Sequence, residues 1–474
     1  MMRATRLLVA CAALCAQAGA SAGAQAPLIP RPVIGAPKPF RPPAIVERRY
    51  GNGMRVVFVP FRATPTARIE LVIRAGTADE SSTRPGVAPL VAQFLSEGTR
   101  SRSSEQIAQL VSDLGALGAA ISVSTDSRET LLGVSVIPEA APAMIEVLAD
   151  MARRPAFQAT VLERLKTNAV RRIQLQHTEA DWLASSRTNS VIFPGNAADR
   201  FPSEEQLQSI DAAAVTDFHA RYYAPSRVRL YVAGTFDQAG VERAAAAAFA
   251  DWPATAAPPF SLPASSELRA TNAGDRPVIH LIDRPGATQA RVQVSFPVVD
   301  MAHPDHLVLN EINILMGSTQ TARLVANIRE RHGYSYNIHS RLVRRPGATQ
   351  WMAAADITNN VVGPAIQEIL GEIARLRRDL PTAEELRSFQ SFMAGILVSE
   401  NSTAQGILES LRWMDLYGVG TSYLGTFIQN VYAVTPANIR AMAGRYFRPD
   451  RMTIVVVGDR KTLLPQLEAI ARVE

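Results

Sequence analysis

Cysteine is nearly absent: of 474 residues only Cys11 and Cys15 carry a thiol, and both lie in the first stretch of the chain. That stretch reads as an export signal, so its removal would leave no disulfide, no thiol nucleophile and no thiolate metal ligand. Aromatic residues make up 6% of the chain and do not interleave with basic residues on any predicted face, which argues against a nucleic-acid surface. Neither a Gly-x-Ser-x-Gly elbow nor a Walker-type phosphate loop occurs. After the signal no run approaches the roughly 18 to 20 uncharged apolar residues of a membrane span. Charge is only mildly unbalanced: the formal +6 falls by two when Arg3 and Arg6 leave with the signal.

The signal is assigned to residues 1–24. Arg3 and Arg6 precede an Ala- and Leu-rich run from Leu7, and Ala20-Ser21-Ala22 and Ala22-Gly23-Ala24 offer cleavage after Ala22 or Ala24. Leu8-Val9-Ala10-Cys11 fits a lipoprotein box, but too few residues separate Arg6 from Cys11 for a hydrophobic core of normal length. The expected destination is a bacterial periplasm. Residues 25–45 are proline-rich and predict an extended tether.

Folding is expected to begin at 46. Asn52-Gly53 predicts a hairpin turn ahead of a strand over Met54 to Pro60, and Ala67 to Ala75 alternates as a second strand. Pro85 to Glu97 predicts an amphipathic helix, with Pro89 in its first turn. Ser103-Ser104-Glu105-Gln106 is a capping box opening a helix to Gly115. Ile121 to Val136 alternates again, and Ala140 to Met151 returns to helix. The order is that of an α+β protein, with helices on one face of a largely antiparallel sheet.

An internal repeat divides the chain. Arg221-Tyr222-Tyr223-Ala224-Pro225-Ser226-Arg227 and the apolar run ending at Gly234 recur, 224 residues on, from Arg445 to Gly458; Ala67-Arg68-Ile69 recurs as Ala290-Arg291-Val292 at an offset of 223. Two homologous domains are expected, 46–250 and 278–474, joined by an Ala- and Pro-rich linker over 251–277.

Pro85 to Thr99, PGVAPLVAQFLSEGT, gives the chain its family resemblance. Gly86, Ala88, Leu90, Leu95, Gly98 and Thr99 resemble the frame that surrounds the His-x-x-Glu-His helix of the insulinase/pitrilysin (M16) family, which includes the mitochondrial processing peptidase. In that motif two imidazoles four residues apart share a zinc ion on one helix face, and the Glu takes a proton from the bound water. Here the three working positions are Pro89, Ala92 and Gln93. The family's third ligand, a Glu on a later helix, would fall in Asn168 to Ile173, NAVRRI, where Arg171 and Arg172 stand instead. Gly118-Ala119-Ala120 replaces the Asn-Ala pair of active subunits. This chain is expected to bind no zinc.

In the second half, Leu315-Met316-Gly317-Ser318 and Ile328 through Tyr336 resemble the family segment whose Arg and Tyr face the zinc from the opposite wall. Those positions fall on Arg329 and Tyr336, seven residues apart. The resemblance implies that they bind the substrate backbone and steady the oxyanion. Other candidates are weaker: His303-Pro304-Asp305-His306 reads as a helix cap with Asp305 in the first turn, and His177, His219, His280, His332 and His339 have no ligand-like neighbours.

The resemblance thus implies two tandem α/β-roll domains of the type shared by the mitochondrial processing peptidase and LuxS-like metallohydrolases. It further implies an M16B-like non-catalytic subunit, inert alone, that pairs with a His-x-x-Glu-His-containing M16 subunit holding the Zn and acts on peptides. The alternative is a non-enzymatic scaffold or peptide-binding protein of the same fold.

Overall fold

The computed structural model describes residues 35, 37–61, 65–118, 120–194, 201–262, 277–345, 347 and 349–474. The expected export signal, the middle of the expected linker and Ala119 lie outside the described residues. The body that follows is Pro39–Glu474.

Apolar and alternating runs build two six-stranded sheets. The first contains β1 (Val46–Arg49), β2 (Arg55–Pro60), β3 (Ala67–Ile73), β4 (Ser122–Thr125), β5 (Thr130–Val136) and β6 (Val228–Gly234), in the order β1-β2-β6-β3-β5-β4. The second contains β7 (Val278–Asp283), β8 (Gln289–Pro297), β9 (His339–Val343), β10 (Gln350–Thr358), β11 (Thr453–Gly458) and β12 (Arg472–Val473), in the order β12-β7-β11-β8-β10-β9. β2 runs parallel to β6 and β7 parallel to β11, while the pairs that follow across each sheet are antiparallel. The sheets are therefore mixed. Their first edges differ: β1 is the antiparallel arm of a hairpin turned at Gly53, φ +90°, whereas β12 joins β7 in parallel.

The sequence repeat is a repeat of structure. Helix Ala212–Tyr222, the turn Pro225–Arg227 and β6 recur as helix Pro436–Tyr446, the turn Pro449–Arg451 and β11. Gly234 closes the first copy because the chain presses on its neighbour: φ is +116°, and a Cβ there would lie 2.1 Å from the Thr66 carbonyl oxygen.

Helices cover both faces of the sheets, not one. On β2, Val56 and Phe58 point into the core of the first half, while Val57 and Val59 belong to the larger core centred on the second half. The reason is an exchange of helices. Helix Ala180–Ile192 lies on β8 and β11, packing Ala184 against Val455 and Val457, and helix Ala404–Tyr417 lies on β3 and β6 of the first sheet. Phe40 and Ile45, at the end of the expected tether, also pack on the larger core.

Local expectations hold in most places. Ser103 caps helix Ser104–Asp113 with Gln106 closing the box, and helix Ala141–Arg153 forms as read. The stretch Ile121 to Val136 is not one strand but the hairpin β4–β5. Asp126 makes the turn, its Oδ1 accepting the amides of Arg128 at 2.7 Å and Glu129 at 2.8 Å.

Candidate functional site

Helix Val87–Phe94 carries Pro89, Ala92 and Gln93, the positions expected to hold the family's zinc motif. Its start is held by Glu80, a buried carboxylate that accepts from the amides of Gly86 at 2.9 Å and Ala88 at 2.8 Å. Pro89 is the third helical residue, so its missing N–H costs no intrahelical bond. Ala92 is buried, and Pro89 and Gln93 are half-buried on one face. Helix Ala159–Gln176 packs against this helix, with Arg171 and Arg172 exposed and Ile173 buried. A pyrrolidine and a methyl offer no lone pair, an amide is a poor zinc ligand, and guanidiniums repel a cation. These residues do not fit zinc.

The histidines are engaged elsewhere. His306 is buried, with burial pushing its pKa down to about 4; the His303 ring accepts the amide of Asp305 at 3.1 Å. His219 is likewise pushed to about 4 by burial, and its Nε2 sits 2.8 Å from the Ala152 carbonyl oxygen. Asp305 does stand at the start of helix His306–Asn313, but its side chain caps nothing. Its carboxylate instead accepts from Arg445 at 2.6 Å and from the Tyr446 hydroxyl at 2.7 Å. Among the described residues no group of three His, Cys, Asp or Glu side chains is placed to share a metal.

The second half brings its predicted pair together. Helix His306–Asn313 continues in wider π-helical turns over Ile314–Ser318, pressed against β9 so closely that a Cβ on Gly317 would meet the Ser340 nitrogen at 2.5 Å. Ser318 donates to the Ser340 carbonyl at 3.0 Å and pins that approach. The chain enters a second π-helical segment, Val325–Arg331, whose buried Ile328 anchors it. It then turns back at Gly333, φ +63°, with the Tyr334 amide on the Ile328 carbonyl at 2.9 Å.

That reversal lays Tyr336 beside Arg329, the guanidinium carbon standing 4.4 Å from the ring centroid. Stacking of this kind fixes the guanidinium plane. Arg329 also donates to Gln320 at 2.8 Å and lies 3.2 Å from the Glu330 carboxylate. Tyr336 is 81% exposed. Before it Ser335 is buried, and after it the exposed Asn337 exchanges hydrogen bonds with β10, its side chain donating to the Asp356 carboxylate at 2.6 Å and accepting the Asp356 amide at 2.9 Å. A clamped backbone thus presents one exposed phenol. Gln320, Asn337 and Asp356 complete the site and have no signature in the sequence.

Family comparison gives the same frame. The description "Insulinase (Peptidase family M16)" matches residues 55–197, and "Peptidase M16 inactive domain" matches residues 209–391. The chain belongs to peptidase family M16. Among the relatives of this M16 chain, "Uncharacterized zinc protease YmxG" of Bacillus subtilis is 22% identical over 407 residues, 84% of this chain and 95% of that one. "Cytochrome b-c1 complex subunit 1, mitochondrial" of Caenorhabditis elegans is 24% identical over 185 residues, 39% of this chain and 38% of that one. The solved peptidase M16 inactive domain from Pseudomonas fluorescens shares the fold with a TM-score of 0.79 at 21% identity, covering 88% of this chain and 98% of that one. The periplasmic protease PqqL of Escherichia coli superposes with a TM-score of 0.73 at 14% identity, covering 90% of this chain and 49% of that one.

Proposed function

We propose that this M16 chain is the catalytically incomplete subunit of a two-chain periplasmic peptidase. It would pair with an M16 subunit that carries His-x-x-Glu-His and holds the zinc, and would lend Arg329 and Tyr336 to that site. The observation carrying this reading is the stacked pair itself: an exposed phenol and an oriented guanidinium on a clamped backbone, in a chain whose own motif helix offers Pro89, Ala92 and Gln93.

The pair suits the work. Arg329 keeps its charge at any working pH and can hold a peptide carbonyl, while the Tyr336 hydroxyl can donate to a developing oxyanion. Both effects grow when a partner closes over the exposed face and excludes water. β4 ends the first sheet beside helix Val87–Phe94 and offers an edge to which an extended peptide could add. Export to the periplasm follows from the signal read in the sequence, and no described helix is long and apolar enough to cross a membrane.

Reconstitution tests the reading. The mature chain alone should leave quenched fluorescent peptides uncut, and mixing it with a His-x-x-Glu-His M16 protein of the same organism should produce turnover above that of either chain. A stable complex without turnover would favour the scaffold or peptide-binding alternative.

A further inference from the structure

Two cavities adjoin at Arg344 and Trp413, which line both. The smaller, about 450 Å³, lies between the β4–β5 turn, the residues after β9 and the end of helix Ala404–Tyr417. Arg128, Arg344, Arg345 and Arg412 face it, against the carboxylates of Asp126 and Glu129. Those acids have other duties: Asp126 holds the turn through the amides of Arg128 and Glu129, and buried Glu129 lies 3.8 Å from Arg74. Arg412 is committed to Glu70 at 3.0 Å. Arg344 lies over the Trp413 ring at 4.2 Å, and among the described residues neither it nor Arg128 is held in an ion pair. Burial pushes the Arg128 guanidinium below its usual pKa. Asp79 and Asp126 act on Arg128, and Glu400 and Glu409 on Arg344, at longer range than a contact ion pair; an anion entering the smaller cavity would meet four guanidiniums against two carboxylates.

The larger cavity, about 660 Å³, has apolar walls that include Phe392, Ile396, Leu424 and Phe427. Phe392 and Ile396 are 41% and 40% exposed at helical spacing. Glu400 and Glu409 also line it, and burial, then the charge of Glu409, raise the Glu400 pKa. The smaller cavity is therefore mainly basic, and the larger combines apolar walls with two acidic side chains that also act on Arg344. Each cavity is within the roughly 300 to 1,000 Å³ typical of small-ligand sites.

We propose that these joined cavities bind a short apolar peptide, its C-terminal carboxylate at Arg128 and Arg344 and its ammonium toward Glu400 and Glu409. The acidic end favours a zwitterionic peptide over an anion with a purely apolar tail. The site is separate from the Arg329 and Tyr336 pair. It rests on the composite-peptidase reading only for the supply of peptides, since binding needs no partner.

Isothermal titration of the full mature chain, without a partner, tests it with Val-Leu-Leu as the free acid, the same peptide as the C-terminal amide, and decanoate. The free acid should bind, and amidation should weaken binding at least about tenfold, the cost of losing a charge-assisted contact. Arg128→Ala should weaken the acid similarly and largely abolish the difference between acid and amide, while Glu409→Gln should weaken the acid without abolishing it. Circular dichroism and melting of both variants check that they remain folded, and Arg128→Lys should recover part of the affinity. Equal binding of acid and amide, or no binding of the acid at millimolar concentration, would overturn the site. Decanoate binding as tightly as the peptide would overturn the peptide assignment.

Discussion

The Asp415 carboxylate accepts a hydrogen bond from the Tyr231 hydroxyl at 2.9 Å, tying a helix of the second half to the central strand of the first sheet. Arg74 donates to the same carboxylate at 2.8 Å, Arg55 also donates to it, and Arg229 stands at 3.5 Å. Burial pushes the Asp415 pKa up, but Arg74, Arg55 and Arg229 outweigh it and leave the carboxyl below its usual range. Asp415→Ala would leave Arg229 without its carboxylate and take one of two from Arg55 and Arg74, which keep Glu47 and Glu129, and should destabilise the chain by about 3 kcal/mol, read by denaturant melts. Because the folded pKa is depressed, the stability from Asp415 is present above the ordinary aspartate pKa. It should be lost as pH falls through the lower folded value.

Glu311 has the opposite sign. It is 1% exposed on helix His306–Asn313, and burial raises its pKa to about 8. The nearby Gln390 amide is spent on the carbonyls of Val431 and Val434, at 3.0 Å each. A carboxyl held neutral in the fold but free to ionise when unfolded costs stability as pH rises from about 4.5 to about 8. Glu311→Gln should flatten that slope and make the protein more stable than wild type at pH 8, by on the order of a few kcal/mol. Thermal melts across that pH range give the comparison.

Restoring the motif helix should not restore a working metal centre. In Pro89→His, Ala92→Glu, Gln93→His the first two ligands and the base would return, but the third ligand that the resemblance places within Asn168 to Ile173 would still be missing, with Arg171 and Arg172 there instead. Zinc titration should find far less than one equivalent in wild type and only weak binding in the triple variant, with no peptidase activity from the variant alone.

Much of the fold can be read from local pattern. The Asn52-Gly53 turn and an apolar run mark β2, alternation marks β3, the Ser103 and Gln106 box starts its helix, and the repeat fixes the equivalence of β6 and β11. What is lost is non-local. Val57 and Val59 look like the solvent side of a half-buried strand, because the element that covers them comes from the other half. Asp305 reads as a cap, but Arg445 and Tyr446, about 140 residues away, claim its carboxylate. Arg329 and Tyr336 stand out in the sequence only through the family resemblance, and their role is the one proposed above. The clamp from Asn337 to Asp356 that presents them depends on how the loop meets β10, which no spacing reveals.

The most direct test is the turnover of the reconstituted pair with Arg329→Ala in this chain. Losing the guanidinium that holds the peptide carbonyl should lower kcat/KM by on the order of a hundredfold, with the two chains still co-eluting, and Tyr336→Phe, which removes the oxyanion donor, should lower kcat by on the order of a hundredfold or more. An unchanged rate with Arg329→Ala in an intact complex would contradict the claim that this chain contributes to catalysis.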